Sequence, residues 1–138
     1  MSGQLRTSGG RKLQSPLQRL TRPTTARVRM AVMNILSSRL RKCNWLDLFS
    51  GSGVMACEAL LRGANSVIAI ERDFKTSKIC RENLSKTMVG LKSSAEVRVI
   101  RRDVLSWLGE KSSAFRHKQI STTSNGLFDI VYLDPPYG

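Results

Sequence analysis

The chain has 138 residues, 41% of them hydrophobic, which suits one globular domain with a core that needs no disulfide or metal to staple it. No apolar run approaches the roughly 18 residues of a membrane span, and none follows the basic N-terminus as in a secretory signal. The formal net charge of +13 points to a polyanionic partner.

That charge is uneven. Residues 1–46 hold ten bases (Arg6, Arg11, Lys12, Arg19, Arg22, Arg27, Arg29, Arg39, Arg41 and Lys42) and no acid, so +10 of the +13 lies in the first third. A block of this kind is the electrostatic footprint of nucleic acid; the alternative is a tail that only keeps the chain in solution. An organellar transit peptide has a similar composition, but this leader runs straight into sequence of folded type. Cys43, Cys57 and Cys80 are odd in number and widely spaced. They read as buried thiols in a reducing cytoplasm, not as a disulfide framework or a zinc site. His117, the single histidine, reads as a surface residue, and no metal is expected.

In chain order, residues 1–23 form a basic arm rich in Gly, Ser, Pro and Arg, either extended or a short hairpin, and residues 24–138 form the core. A helix is predicted after Pro23, capped by Thr24 or Thr25, with Val28, Ala31, Val32, Ile35 and Leu36 as its apolar stripe. Arg27, Arg29, Arg39 and Arg41 then fall mostly on the outer face. From residue 45 short apolar runs alternate with helical stretches. WLDLF (45–49) reads as a strand, followed by a Gly-Ser-Gly turn and a helix to about Arg62. VIAIE (67–71) is a second strand, followed by a helix over roughly 74–88 with Ile79, Leu84 and Met88 inward. AEVRVI (95–100) is a third strand, and Leu105, Trp107 and Leu108 form a short helical turn. Residues 111–126 read as a polar surface loop, and FDIVYLD (128–134) as a fourth strand. This alternation predicts an α/β fold: a Rossmann-like parallel sheet with helices on both faces. The fourth strand leaves Ile130, Val131, Tyr132 and Leu133 unshielded on one side, so further C-terminal strands are expected to be missing.

Gly51, Gly53 and Ala56 stand in G-x-G-x-x-A spacing between the first strand and its helix. In a nucleotide cradle the first glycine permits a tight turn, the second lets ligand approach the backbone, and Ala56 keeps helix and strand close. Dinucleotides and S-adenosylmethionine share this signal. Glu71 ends the second strand 18 residues after Gly53, where a carboxylate can hold both ribose hydroxyls of a nucleoside. Asp103 follows the third strand and can accept from an adenine amino group, with Val104 offering its amide; a plain helix cap is the other reading of Asp103. Asp47 can reach the methionine part of the cofactor. Phe49, Ser50 and Arg72 complete the candidate cofactor residues.

Asp134-Pro135-Pro136-Tyr137 follows the fourth strand, on the rim where open parallel sheets bind ligands. Two prolines stiffen the backbone and remove donors. The Asp134 carboxylate and the Pro135 carbonyl can each accept from one exocyclic NH2, aiming the nitrogen lone pair at a sulfonium methyl, while Tyr137 stacks on the base. A dehydrogenase needs no such acceptor pair.

Together these motifs resemble the RsmD-like family of small-subunit ribosomal RNA guanine-N2 methyltransferases. The resemblance spans RPTTARVR (22–29) with Asn34, LDLFSGSG (46–53), EALLRGA (58–64), Glu71 and DPPY (134–137). It implies S-adenosylmethionine as cofactor and ribosomal RNA or an assembling small subunit as partner; a monomer is expected from the lack of any heptad or obvious apolar patch, and a cytoplasmic location from the reduced cysteines. The resemblance also implies that Arg22, Thr24, Arg27 and Arg29 line the RNA and cofactor entrance. The family commonly carries acids beside the VR pair, where this chain has Ala26 and Met30. Adenine-N6 methylation and non-catalytic RNA binding are the alternatives.

Overall fold

A computed structural model describes residues 4–15, 25–116 and 128–136. The cap Thr24, the loop from 117 onward with His117, and Arg19, Arg22 and Tyr137 lie outside the described residues.

Four parallel strands make one sheet: β1 (Asn44–Asp47), β2 (Ser66–Ile70), β3 (Glu96–Ile100) and β4 (Ile130–Tyr132), in the order β3-β2-β1-β4. The chain lays β2 and then β3 to one side of β1 before crossing to place β4 on the other. The strand order therefore reverses between β1 and β4, and the carboxyl ends of those two strands open the crevice in which such sheets bind ligands.

Alternate strand residues feed two cores. Trp45, Val67 and Ala69 face a cluster with Met33, Leu40, Ala56, Cys57, Ala59, Leu60, Cys80 and Leu84. Leu46, Ile68 and Ile70 face the opposite cluster with Leu48, Val104 and Trp107. The period of two puts helices on both faces, as the strand-helix alternation predicts. The three cysteines are free and buried, and burial pushes their thiols up to about 11 for Cys43 and Cys57 and about 12 for Cys80. They pack as small apolar groups.

The helices depart from expectation in instructive ways. α1 (Ala26–Ile35) is capped by Thr25, whose hydroxyl accepts from the Val28 amide at 3.3 Å. Its buried residues are Arg29 and Met33, and α2 (Ser37–Leu40) adds Leu40. The predicted stripe is displaced by about one position: Val28 and Ile35 are exposed, Ile35 to 80%. Val32 and Leu36, both partly buried, belong to either face, so helical spacing alone cannot choose between the two.

α3 (Val54–Leu61) and α4 (Phe74–Leu91) pack on each other on the face of the first cluster. α4 buries Ser77, Cys80, Asn83, Leu84 and Thr87, with Ile79 and Met88 only partly covered. α5 (Val104–Arg116) is a full helix where a short turn and the start of a loop were expected. Its inner residues are Val104 and Trp107, while Leu105 stays 78% exposed. β4 is shorter than expected because Asp129 is used as an anchor: its amide donates to the Asn44 carbonyl and its carboxylate accepts from the Asn44 amide at 2.7 Å.

Residues 4–15 form a hairpin bridged antiparallel between Arg6 and Lys12, with Gly10 in the left-handed region at its turn. The hairpin is packed down on the core. Leu13 is buried, and Glu58 on α3, also buried, accepts from the amide and hydroxyl of Ser8.

Candidate cofactor site and amino-group acceptor

The parallel register gathers the candidate residues at one rim. Asp47, the last residue of β1, pairs with Ala69 on one side and Tyr132 on the other. Glu71 follows β2, and its amide donates to the Ile100 carbonyl that ends β3. Asp103 lies three residues beyond Ile100, and Asp134 two residues beyond Tyr132. Four of the ten carboxylates of a +13 chain thus converge on one edge. Such a concentration of like charge is retained where a ligand supplies the compensating donors.

Asp47 carries the clearest sign of that ligand. It is 1% exposed, and neither carboxylate oxygen has a hydrogen-bond partner among the described residues. Burial raises its pKa to about 7, and the charges of Asp134 and Glu71 push the same way. The Trp45 indole N–H and the Phe49 amide pull downward, but both fall outside hydrogen-bond geometry, so burial prevails. A buried, unsatisfied carboxylate costs several kcal/mol, on the order of 1–3 even when neutral, and is kept where a ligand completes it. The α-ammonium of a bound S-adenosylmethionine is a donor of that kind, so the residues present fit the cofactor.

The glycine turn lies beside it. The Ser50 amide donates to the Ile70 carbonyl, and the Gly53 amide to the Ser50 carbonyl at 2.7 Å, which closes the turn at the start of α3. Gly51 and Gly53 both take positive φ, +53° and +82°. Their surroundings differ. A Cβ on Gly51 would meet nothing within 4 Å, so this glycine borders open space where a ligand can lie. A Cβ on Gly53 would stand 2.7 Å from the Cys80 sulfur and 3.5 Å from the Cys80 Cα. Gly53 therefore makes room for helix α4, a role that spacing did not suggest for it. Ala56 is fully buried, as close helix packing requires.

Gly53→Ala combines a left-handed backbone with a steric overlap, and is expected to cost roughly 2–4 kcal/mol of stability. Adding Cys80→Ala should recover the steric part only. Equal denaturation midpoints for Gly53→Ala and wild type would contradict this account.

Glu71, half-buried, accepts from the Gly51 amide at 3.2 Å and from the Asp73 amide at 2.9 Å. It is thereby oriented over the turn. Asp73, which sequence reasoning passed over, caps α4 through the Thr76 amide and hydroxyl, and those bonds hold its carboxyl below the ordinary value. Arg72 between them is exposed. Asp103 is a helix cap in this structure: one carboxylate oxygen accepts from the Ser106 amide at 3.0 Å. A single oxygen is used there, which leaves the other for a ligand donor. Val104 is buried, Phe49 half-buried and Ser50 buried.

Asp134, Pro135 and Pro136 are exposed at the end of β4, and Asp134 is near enough to act on the charge of Asp47. On the face of the first core Trp45 and Tyr132 stack across β1 and β4 with ring centroids 5.8 Å apart. Of the arginines expected at the RNA entrance, Arg27 is exposed. Arg29 is not at the surface. It is 6% exposed, donates to the Arg6 carbonyl at 2.9 Å, and senses Glu58 and Tyr132 while burial lowers its pKa. Its guanidinium ties the hairpin to α1 through the Arg6 carbonyl, and the charge of Glu58 offsets part of the cost of its burial. An open pocket at the opposite end of the strands, lined by Arg39, Arg41, Lys42, Cys43 and Asp129, is remote from this chemistry.

The sheet order, the glycine turn and the acidic rim define a Rossmann-like methyltransferase fold. Comparison with known proteins agrees with that class. Residues 1–138 match the family model described as conserved hypothetical protein 95, and the chain belongs to this RsmD-like family. The ribosomal RNA small subunit methyltransferase D of Escherichia coli is 34% identical over 99% of this chain and 62% of its own length. The corresponding protein of Haemophilus influenzae is 35% identical over 93% of this chain and 59% of its own. A solved methylase structure from Haemophilus influenzae matches with a TM-score of 0.63 at 31% identity, covering 99% of this chain and 66% of that one. A methyltransferase structure from Escherichia coli gives 0.62 at 34% identity, covering 77% of this chain and 56% of that one. This chain therefore spans about three fifths of the curated relatives it matches.

Proposed function

We propose that the chain carries the cofactor- and amino-group-binding part of an S-adenosylmethionine-dependent methyltransferase acting on the exocyclic N2 of a guanine in small-subunit ribosomal RNA. The observation that carries this reading is the buried Asp47 carboxylate, unpartnered among the described residues, beside the Ser50–Gly53 turn and below Asp134. Asp47 would receive the ammonium of the methionine part, Glu71 the ribose, and Asp103 with Val104 the adenine. When bound, the cofactor supplies an electrophilic methyl group on sulfonium. Asp134 and the Pro135 carbonyl then accept the two amino hydrogens and fix the base nitrogen, while the Tyr137 ring holds the base by stacking. Such a transfer needs positioning and charge more than covalent help. The basic hairpin and Arg27 would meet phosphate.

The relatives' names support ribosomal RNA as the substrate, the charge of the first 46 residues fits a nucleic acid, and the RPTTARVR segment, by the family resemblance it carries, favours guanine over adenine. The test is to incubate the protein with methyl-labelled S-adenosylmethionine and small-subunit ribosomal RNA, then digest the RNA and identify the labelled nucleoside. N2-methylguanosine is the expected product. N6-methyladenosine would move the reading to adenine, and RNA binding without label would leave a binding protein.

A further inference from the structure

The inner face of α4 is unusual for a helix between two packed layers. Its buried positions are mostly polar or small: Ser77, Cys80, Asn83 and Thr87, with Leu84 the one large apolar residue. Asn83 is 0% exposed and fully used. Its amide nitrogen donates to the Gln14 carbonyl at 3.0 Å and to the Ser52 carbonyl at 2.9 Å, and its oxygen accepts from the Gln14 amide at 2.9 Å. Both donors and one acceptor of a single side chain are satisfied by backbone from two distant segments. One segment is the end of the basic hairpin; the other is the middle residue of the Gly51-Ser52-Gly53 turn.

The neighbouring contacts reinforce this junction. Arg11 of the hairpin reaches α4 at the Lys86 carbonyl and lays its guanidinium over Gly90. Cys80, one turn before Asn83, presses on Gly53 and meets the Ser50 hydroxyl at 3.6 Å. Helix α4 is therefore held between the hairpin and the glycine turn, and the Asn83 amide is the group that bonds to both.

We infer that Asn83 is a positioning residue that couples the RNA-facing hairpin to the cofactor turn, so that each ligand tightens the binding of the other. The inference rests on the functional reading above. A cofactor lying along the turn fixes the Ser52 peptide, which fixes the Asn83 amide plane and with it the Gln14 backbone at the base of the hairpin. Phosphate on the hairpin acts on the same bonds in the reverse direction. Because the linkage is thermodynamic, the two effects have the same magnitude.

The experiment measures the affinity of the wild-type chain for a small-subunit ribosomal RNA transcript with and without S-adenosylhomocysteine, and for S-adenosylhomocysteine with and without the RNA. Each ligand is expected to tighten the other by the same factor, about fivefold or more. In Asn83→Asp, which keeps the shape and the acceptor for Gln14 but loses both donors, that factor should fall to about one while each ligand alone still binds. A retained factor in the variant, or a wild-type factor of one, overturns the coupling. Should the variant fail to fold, hydrogen exchange in wild type decides: the Gln14 amide is expected to exchange more slowly once S-adenosylhomocysteine is bound, and an unchanged rate overturns the inference. A folded wild type that binds neither ligand would instead overturn the functional reading beneath it.

Discussion

Asp134→Ala is expected to lower methyl transfer by roughly 10²–10³-fold while leaving affinity for S-adenosylhomocysteine undiminished. The two halves of that expectation come from its position. Asp134 stands two residues past the β1–β4 pairing of Asp47 with Tyr132, exposed at the crevice and off the Ser50–Gly53 turn. It can therefore hold a base amino group without being needed to hold the cofactor. Its charge also raises the pKa of Asp47, so its removal eases ionisation of that carboxylate and favours an incoming ammonium. Asp134→Asn keeps the shape but replaces one acceptor with a donor, and should lose most of the rate as well. Single-turnover rates and calorimetric titrations separate the two effects. A rate unchanged by Asp134→Ala would remove this residue from the reaction, and weakened cofactor binding would relocate it to the cofactor site.

How much of this was legible beforehand depended on whether a pattern had one structural solution. The strands were legible because short apolar runs such as VIAIE and FDIVYLD between glycine and polar stretches admit little else, and parallel order follows from the intervening helices. The site was legible for a related reason. Parallel strands put every residue that ends one of them on the same rim, so Asp47, Glu71, Asp103 and Asp134 could be placed together from their positions alone. Helix faces were less legible. On α1 the shared positions Val32 and Leu36 fit two stripes, and the docking of Met33 and Arg29 decided between them. Arg29 shows why composition misleads here. Ten bases without an acid in residues 1–46 suggest a uniformly solvated arm, whereas the acid whose charge favours this one, Glu58, lies on α3.

Glycine spacing had the same weakness. G-x-G-x-x-A locates the turn, but which glycine faces ligand and which faces protein depends on the third dimension. Cys80 on α4 supplies the answer for Gly53. Asn83 was missed because helix reading weighs apolar spacing. The signal was present in the polar and small residues at 77, 80, 83 and 87, which recur at helical spacing and so mark a face that binds backbone where a plain core helix would bury leucines.

Asp47 gives the other large expected effect, on pH dependence and stability together. Its pKa in the ligand-free fold is about 7, against 3.8 in the unfolded chain. Between those values the folded state binds the extra proton, so this group makes stability fall as pH rises from about 4 to about 7, by an amount on the order of 4 kcal/mol, and adds no further slope above that. Cofactor binding runs the other way. An ammonium needs the ionised carboxylate, so affinity for S-adenosylhomocysteine should increase as pH is raised toward 7 and level off beyond it, close to tenfold per unit at its steepest. Asp47→Asn removes both slopes. The variant should bind the cofactor far more weakly at pH 8 and show little change with pH, while its thermal stability loses the decline that wild type shows between pH 4 and 7. Its buried amide brings its own unsatisfied donors, costing roughly 1–3 kcal/mol, so the diagnostic quantity is the slope and not the absolute midpoint. A wild-type affinity that is flat across pH 5 to 8, or a variant that keeps the wild-type profile, would mean that Asp47 does not meet the ammonium, and its unpartnered oxygens would need another ligand.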